Sequence, residues 1–490
     1  MPHNAESVYL FRHALLREAA QELQLPQDRA RLHGLAVDIM AELLRGRPEM
    51  LDGAALEMAD HANAAAQQEG RAQHYARLEC GYLRRALGHA GRRYAHGVVI
   101  TAGRRLLASP YLEVNDRAEV AHSMGTAHRH CGQVDEALEG FRQAAASAQK
   151  AVERGRALVG QADVYSNLAR YAEAERCFNE ALACLGPEDG GFYAEALRQL
   201  GTLHLRRQDH AQGVPLTQRA LQASHDANDP ACAAGCEVNL GLVAMHTGRT
   251  QESEQHLQRA LELAKRANDD TTLALAAENL GTLLAHLNRM EEANGWFKIA
   301  LETTRQMGNL PAHASTLTNF GHALVEAGSH ESAESIMLQA IEMHRESRNV
   351  GKIAQTLGNL AVLYLRTGRG AEGRRLNLEA IELHRQAGNQ GSECVARLNL
   401  SWTLFEEGRH DEALAQIAVA AATATAIGDP RLQGYAVCNE VIIRATRDSG
   451  QPDRQGWQRG VELVRQSGDL RAVERLQSDF SKRFPAGDVS

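Results

Sequence analysis

The chain has 490 residues, well beyond the ~100–200 of one ordinary domain, so its fold must be modular. Aromatic residues at 4% are too few for a β-sandwich core, and a hydrophobic share of 44% excludes general disorder, which leaves a helix-rich protein as the expectation. A net charge of −8 provides no basic footprint, so nucleic acid and anionic membrane are not expected as partners.

The N-terminal MPHNAESVYLFRH lacks a long apolar run, and no later stretch reaches the ~20 apolar residues that span a bilayer, so the expected place is the cytoplasm. From Val8 onward the run FRHALLREAAxxxLxLPxxRARLH resembles the winged-helix tail that follows the nucleotide-binding core of bacterial STAND-type ATPases. In that family a helical stretch like the one from His61 to Ala108 leads into helical repeats. Two departures stand against a full match. Gln21 replaces a usual aromatic, and no GxxxxGK[ST] occurs, since Gly351-Lys352 has neither the upstream glycine nor the Ser/Thr that phosphate and Mg²⁺ require. The resemblance implies that His13 approaches ADP only if another chain supplies the nucleotide domain; otherwise His13 packs or caps the first helical pair.

Further along, a period of 40 residues emerges. Asn239, Asn279, Asn319, Asn359, Asn399 and Asn439 keep that interval, and the first five precede Leu240-Gly241, Leu280-Gly281, Phe320-Gly321, Leu360-Ala361 and Leu400-Ser401. Gly248, Asn288, Gly328, Gly368 and Gly408 share the register, where a left-handed backbone between two helices is expected. Small residues recur at Ser253, Ala293, Ala333, Gly373 and Ala413, and alanine at 260, 300, 340, 380 and 420, positions where two helices must approach closely. Leu257, Ala260, Leu261 and Ala264 give the second helix a buried stripe. A second turn mark, from Asn228-Asp229 through Asn268-Asp269 to Gly468-Asp469, ends each second helix. The unit is therefore helix, turn, helix, turn.

The pattern NLGxxxxxxGRxxEAxxxxxxAL resembles the tetratricopeptide repeat (TPR) in a 40-residue form. The resemblance implies an all-α TPR solenoid, a right-handed superhelix of antiparallel helix pairs with a concave groove. Earlier copies are looser: Gln208 stands where a turn glycine is expected, and Gly125 and Gly160 begin copies with the ordinary shorter spacing. The expected organisation is a winged-helix-tail-like segment over 1–47, degenerate TPR-like pairs over 48–118, an array of about eight pairs over 119–435, and a degenerate repeat with a capping helix and tail over 436–490.

Each repeated asparagine lies on the first helix of its pair, with the residues three and seven further on sharing its face. One rung holds Asn239, Leu242 and His246, and the next Asn279, Thr282 and His286. The others are Asn319, His322 and Glu326, then Asn359, Val362 and Arg366, then Asn399, Trp402 and Glu406. In TPR proteins with asparagine at this place the resemblance implies amides that hydrogen-bond the backbone of a bound peptide, a task suited to a group that both donates and accepts. The expected peptide-binding residues are thus the five asparagines with His246, His286, His322, Arg366 and Trp402. The same asparagines also serve as interhelical struts in a reading that needs no ligand, and Trp402 as packing.

Neither a cofactor nor a metal site is expected. His122, His128 and His130 are spaced six and two apart, which does not bring them to one helix face, and the eight cysteines form neither CxxC nor a disulfide framework. GxSxG and HExxH are absent, so no catalytic residues are assigned and the chain is not expected to be an enzyme. The expected role is a protein-interaction scaffold or regulatory sensor with a protein or peptide partner. The alternative is the ligand-sensing arm of a STAND-type signalling ATPase or transcriptional regulator whose NTPase domain is encoded separately or lost, with a separately encoded NTPase or kinase as the further partner.

Overall fold

In the computed structural model, residues 25–485 are described, other than 94, 169 and 348. His13 and Gln21, and with them most of the winged-helix-like run, lie outside these residues. Twenty-three α-helices and one 3-10 turn, with no strand, make up the regular structure of the described residues. The chain divides into two compact units at Phe192/Tyr193.

Unit 1 holds α1 (Pro26–Leu43), α2 (Pro48–Ala65), α3 (Ala72–Arg92) and α4 (His96–Ala108), then the pairs α5 (Val114–His130) with α6 (Val134–Ser147) and α7 (Ala151–Asn167) with α8 (Tyr171–Cys184). Phe141 is buried where α6 meets α5 and α7, and a Cβ on either Gly125 or Gly160 would collide with its ring. Gly125 and Gly160, which opened the shorter copies in the sequence, are there because the ring occupies their side-chain space.

Unit 2 takes in nearly all of α9 (Gly191–Arg206) with α10 (His210–Asp226), then the 40-residue pairs. These are α11 (Pro230–His246) with α12 (Thr250–Ala267), α13 (Asp270–His286) with α14 (Met290–Gln306), α15 (Leu310–Glu326) with α16 (His330–Glu346), α17 (Val350–Arg366) with α18 (Gly370–Gln386), and α19 (Gln390–Glu406) with α20 (His410–Ile427). After them come α21 (Pro430–Arg447), α22 (Arg454–Gln466) and α23 (Leu470–Arg483). Within each unit the helices pack on their sequence neighbours, which is the arrangement of an all-α solenoid.

Two residues at each inter-pair turn divide the work. The first takes the left-handed backbone, as at Asn228, Asn268, Gly308, Gly388, Gly428 and Gly468. The second caps the next helix: Asp229, Asp269, Asn309, Asn349, Asn389, Asp429 and Asp469 each accept a hydrogen bond from the backbone N–H three residues on. What the sequence showed as a mark closing one helix is equally the start signal of the next.

Within a pair, small residues set the spacing. Alanines 260, 300, 340, 380 and 420 are fully buried. In the pair α17/α18 the two small positions are exchanged relative to the three pairs before it, with Ala361 where those carry glycine and Gly373 where they carry Ala or Ser. A Cβ on Gly373 would lie 2.8 Å from the Ala361 carbonyl oxygen. The backbone of α17 fills the space that a side chain at 373 would need.

Candidate functional site

The first helices α11, α13, α15, α17 and α19 carry the asparagine rungs on one face, referred to below as the inner face of unit 2. All five asparagines are half-buried. Asn239 donates through Nδ2 to Thr202 Oγ1 on α9 at 2.8 Å, and Asn319 donates to Glu278 Oε1 on α13 at 2.6 Å. Both amides therefore bridge consecutive first helices. Asn279 turns back on its own helix and donates to the Leu275 carbonyl at 2.9 Å. The side chains of Asn359 and Asn399 make no hydrogen bond to the described residues, so their amides keep donor and acceptor available.

Glu278 is the centre of a polar seam that the periodicity did not single out. Its Oε2 accepts from buried Thr316 at 2.6 Å while its Oε1 accepts from Asn319. Lys352 on α17 is near enough for Glu278 to favour its charged form, although burial dominates and lowers the ammonium pKa. Beneath it, Thr318 Oγ1 stands 2.9 Å from Thr356 Oγ1 and 3.3 Å from His344 Nε2, linking α15, α16 and α17. The only sequence signal for this seam is that Glu278 and Thr318 immediately precede rung asparagines, a position that varies between copies.

The remaining rung residues differ in setting. His246 and His286 are exposed at the ends of their helices. Arg366 donates to Glu326 Oε1 at 2.7 Å and to the Val325 carbonyl at 3.3 Å, tying two rungs together. His322 is open to water yet looks into a face crowded with protein. Desolvation lowers its pKa, Glu326 opposes the shift, and the Arg366 and Arg475 guanidiniums add to it. Trp402 is half-buried with its ring centroid 5.2 Å from that of Phe405. The Arg483 guanidinium lies over both rings, at 5.3 and 5.0 Å.

Among the described residues no group of three His, Cys, Asp or Glu side chains is placed to hold a metal ion. Six of the eight cysteines are buried, Cys184 is partly so and Cys131 is exposed, and all are unbridged. Nor is any described helix long and apolar enough to cross a membrane.

The tetratricopeptide repeat family model matches residues 116–186, 229–306, 272–346 and 352–426, together more than half of the chain. The chain belongs to the tetratricopeptide repeat family. No curated protein sequence matches it. Several solved structures are similar in fold. BtubC from P. vanneervenii is 18% identical over 45% of this chain and 91% of its own, with a TM-score of 0.37. A Rap protein complexed with Competence and Sporulation Factor is 12% identical over 75% of this chain and 99% of its own, with a TM-score of 0.47. The STAND protein with a tetratricopeptide repeat sensor from Pyrococcus horikoshii is 11% identical over 72% of this chain and 52% of its own, also with a TM-score of 0.47.

Proposed function

We propose that the chain is a protein-interaction scaffold or regulatory sensor that binds a polypeptide segment along the inner face of unit 2. The observation that carries this reading is the pair of half-buried amides at Asn359 and Asn399, which the fold leaves without partners while it uses those of Asn239 and Asn319 as struts. An amide that is half removed from water and unpartnered is pre-positioned for a peptide group, with which it can exchange both a donor and an acceptor bond. Trp402, one turn from Asn399, supplies apolar contact for side chains, and Arg366 and His322 supply charge and polarity. No residue of this face is assigned a catalytic role.

Selection of a displayed random-peptide library on the immobilised full chain tests the reading. Selected peptides should lose at least tenfold in affinity when Asn359 and Asn399 are both changed to Ala, and little when Asn239 is. Peptides that bind both variants equally would place the site elsewhere.

The run FRHALLREAA favours a second reading, in which the repeats are the sensing arm of a STAND-type regulator. A neighbouring reading frame with a Walker motif, whose product associates with this chain, would support it; the absence of association would remove it.

A further inference from the structure

Unit 2 already holds a helix against its inner face. α23 begins in the register of the first helices, with Asp469 at its N-cap, but its backbone lies alongside α22 and not alongside α21. Its start touches α10: a Cβ on Gly468 would lie 2.8 Å from His210 Cδ2, and both ring nitrogens of His210 are buried without a hydrogen-bond partner. Midway along, Arg475 approaches Tyr435 on α21 and is close enough to His322 on α15 to act on its charge. At its end Arg483 covers Trp402 and Phe405 and reaches Glu406 Oε1 at 3.4 Å. Trp402 and Glu406, both rung positions of α19, are in direct contact with this helix, and His322, a rung position of α15, is within reach of its charge.

α23 is amphipathic, and its apolar stripe belongs to the hydrophobic core of unit 2. Ala472, Val473 and Phe480 are buried, with Leu476 and Phe484 half-buried, so one stripe is apolar at helical spacing. Phe480 stacks on Trp457 of α22 at 4.1 Å, which tethers the helix, and Phe484 flanks Phe480 at 5.2 Å. The far end is held differently. Its ion pair joins two side chains that are 38% and 43% exposed, and such rim contacts are individually weak and exchange readily with water or with another cation.

We propose that α23 is a built-in, displaceable occupant of the inner face of unit 2, and that the partner replacing it is an amphipathic helix that ends, as α23 does, in a basic residue set between aromatic ones. This rests on the reading that the inner face takes a polypeptide segment, and it names the class: helical and basic-aromatic. The tether at Phe480 keeps α23 beside the face after release, so it competes with the partner at high local concentration and sets the threshold for binding. Displacement also returns His210 to water, which removes the desolvation that the docked state imposes on its ring.

The test uses the full chain and a fluorescein-labelled peptide, LRAVERLQSDFSKRF, which copies residues 470–484. Arg483→Glu sets a carboxylate against Glu406 and takes the cation from the aromatic pair. It should speed amide hydrogen exchange over 470–483 at least tenfold and bind the peptide at least tenfold more tightly than the unaltered chain, while a scrambled peptide binds neither. Arg483→Glu combined with Glu406→Arg restores an ion pair of opposite sense and should return exchange to its original rate, which shows that the single variant acts through docking and not through loss of folding. Equal peptide affinity for the unaltered and Arg483→Glu chains, or unchanged exchange, overturns the proposal. If library peptides still depend on Asn359 and Asn399 while α23 neither loosens nor yields to its own copy, this proposal fails and the reading of the inner face stands. If that amide dependence is lost while the α23 copy still binds the loosened chain, the proposal is supported and the amide reading alone fails.

Discussion

Asn319 Nδ2 and Glu278 Oε1 stand 2.6 Å apart, a hydrogen bond from the first helix of one repeat to the first helix of the repeat before it. Because a solenoid is held together by contacts between neighbours, a bond of this kind stabilises the junction at which it sits. Removing it leaves the half-buried Glu278 carboxylate with Thr316 as its remaining hydrogen-bond donor. Asn319→Ala should therefore cost about 1–2 kcal/mol, the size expected for a partly exposed charge-assisted bond. Asn359→Ala should be close to neutral. Thermal melts of the two variants separate strut from open amide: a similar fall in both would show that Asn359 also has a structural partner.

Gln208 takes the turn position that is Gly or Asn in the later copies, and it adopts the same left-handed backbone, with φ of +62°. The flanking bonds from Gln208 N to the Leu205 carbonyl and from Asp209 N to the His204 carbonyl force that geometry on it. A side chain in this region costs about 1–2 kcal/mol, and glycine gives part of that back through the greater freedom of its unfolded chain. Gln208→Gly should raise stability by about 0.5–1 kcal/mol in chemical denaturation, and a loss of stability would show that the Gln208 side chain makes a contribution of its own.

The exchange of small residues between Ala361 and Gly373 makes a sharper prediction. Gly373→Ala alone should overpack the α17/α18 crossing and cost about 1–3 kcal/mol. Combining it with Ala361→Gly reproduces the arrangement of the three pairs before it, frees the two helices to shift into their crossing, and should recover most of the loss. Strict additivity of the two changes in a double-mutant cycle would show that the two positions do not share the space.

Three histidines give the fold an acid limit. Burial is the first cause in each case and holds the pKa at about 4. Lys352 adds to it at His344 in unit 2, Arg156 and Arg129 at His122, and Arg129 and His96 at His130 in unit 1. The unfolded chain takes up these protons near pH ~6.5 and the folded chain near pH 4. Their neutral forms therefore leave stability intact above ~6.5, and stability falls as the pH drops from there toward 4. Melting temperatures followed from about pH 7.5 down to about pH 4.5 should decline most steeply in that window. His344→Gln should flatten the decline of unit 2, and an unchanged slope would exclude His344 as a cause.

The repeat length, the helix pairs, the left-handed turns and the small residues at the crossings were all legible in the sequence. They are local or periodic: a turn between Gly248 and Arg249, or an alanine at 260, does the same job in every copy because its surroundings repeat. The asparagine rungs were legible as positions, but their partners were not. Whether an amide bonds to Thr202, to Leu275, to Glu278 or to nothing depends on the residue that the preceding first helix presents opposite it, and that residue is outside the repeat consensus. Least legible was α23. Its Asp469 cap and 40-residue register matched the copies before it, and only the tertiary structure set Arg483 over Trp402, from a helix 81 residues further along the chain. Periodicity determines how neighbouring repeats stack; contacts between distant repeats follow from the path that the stacked pairs accumulate, a geometric sum that no single copy encodes.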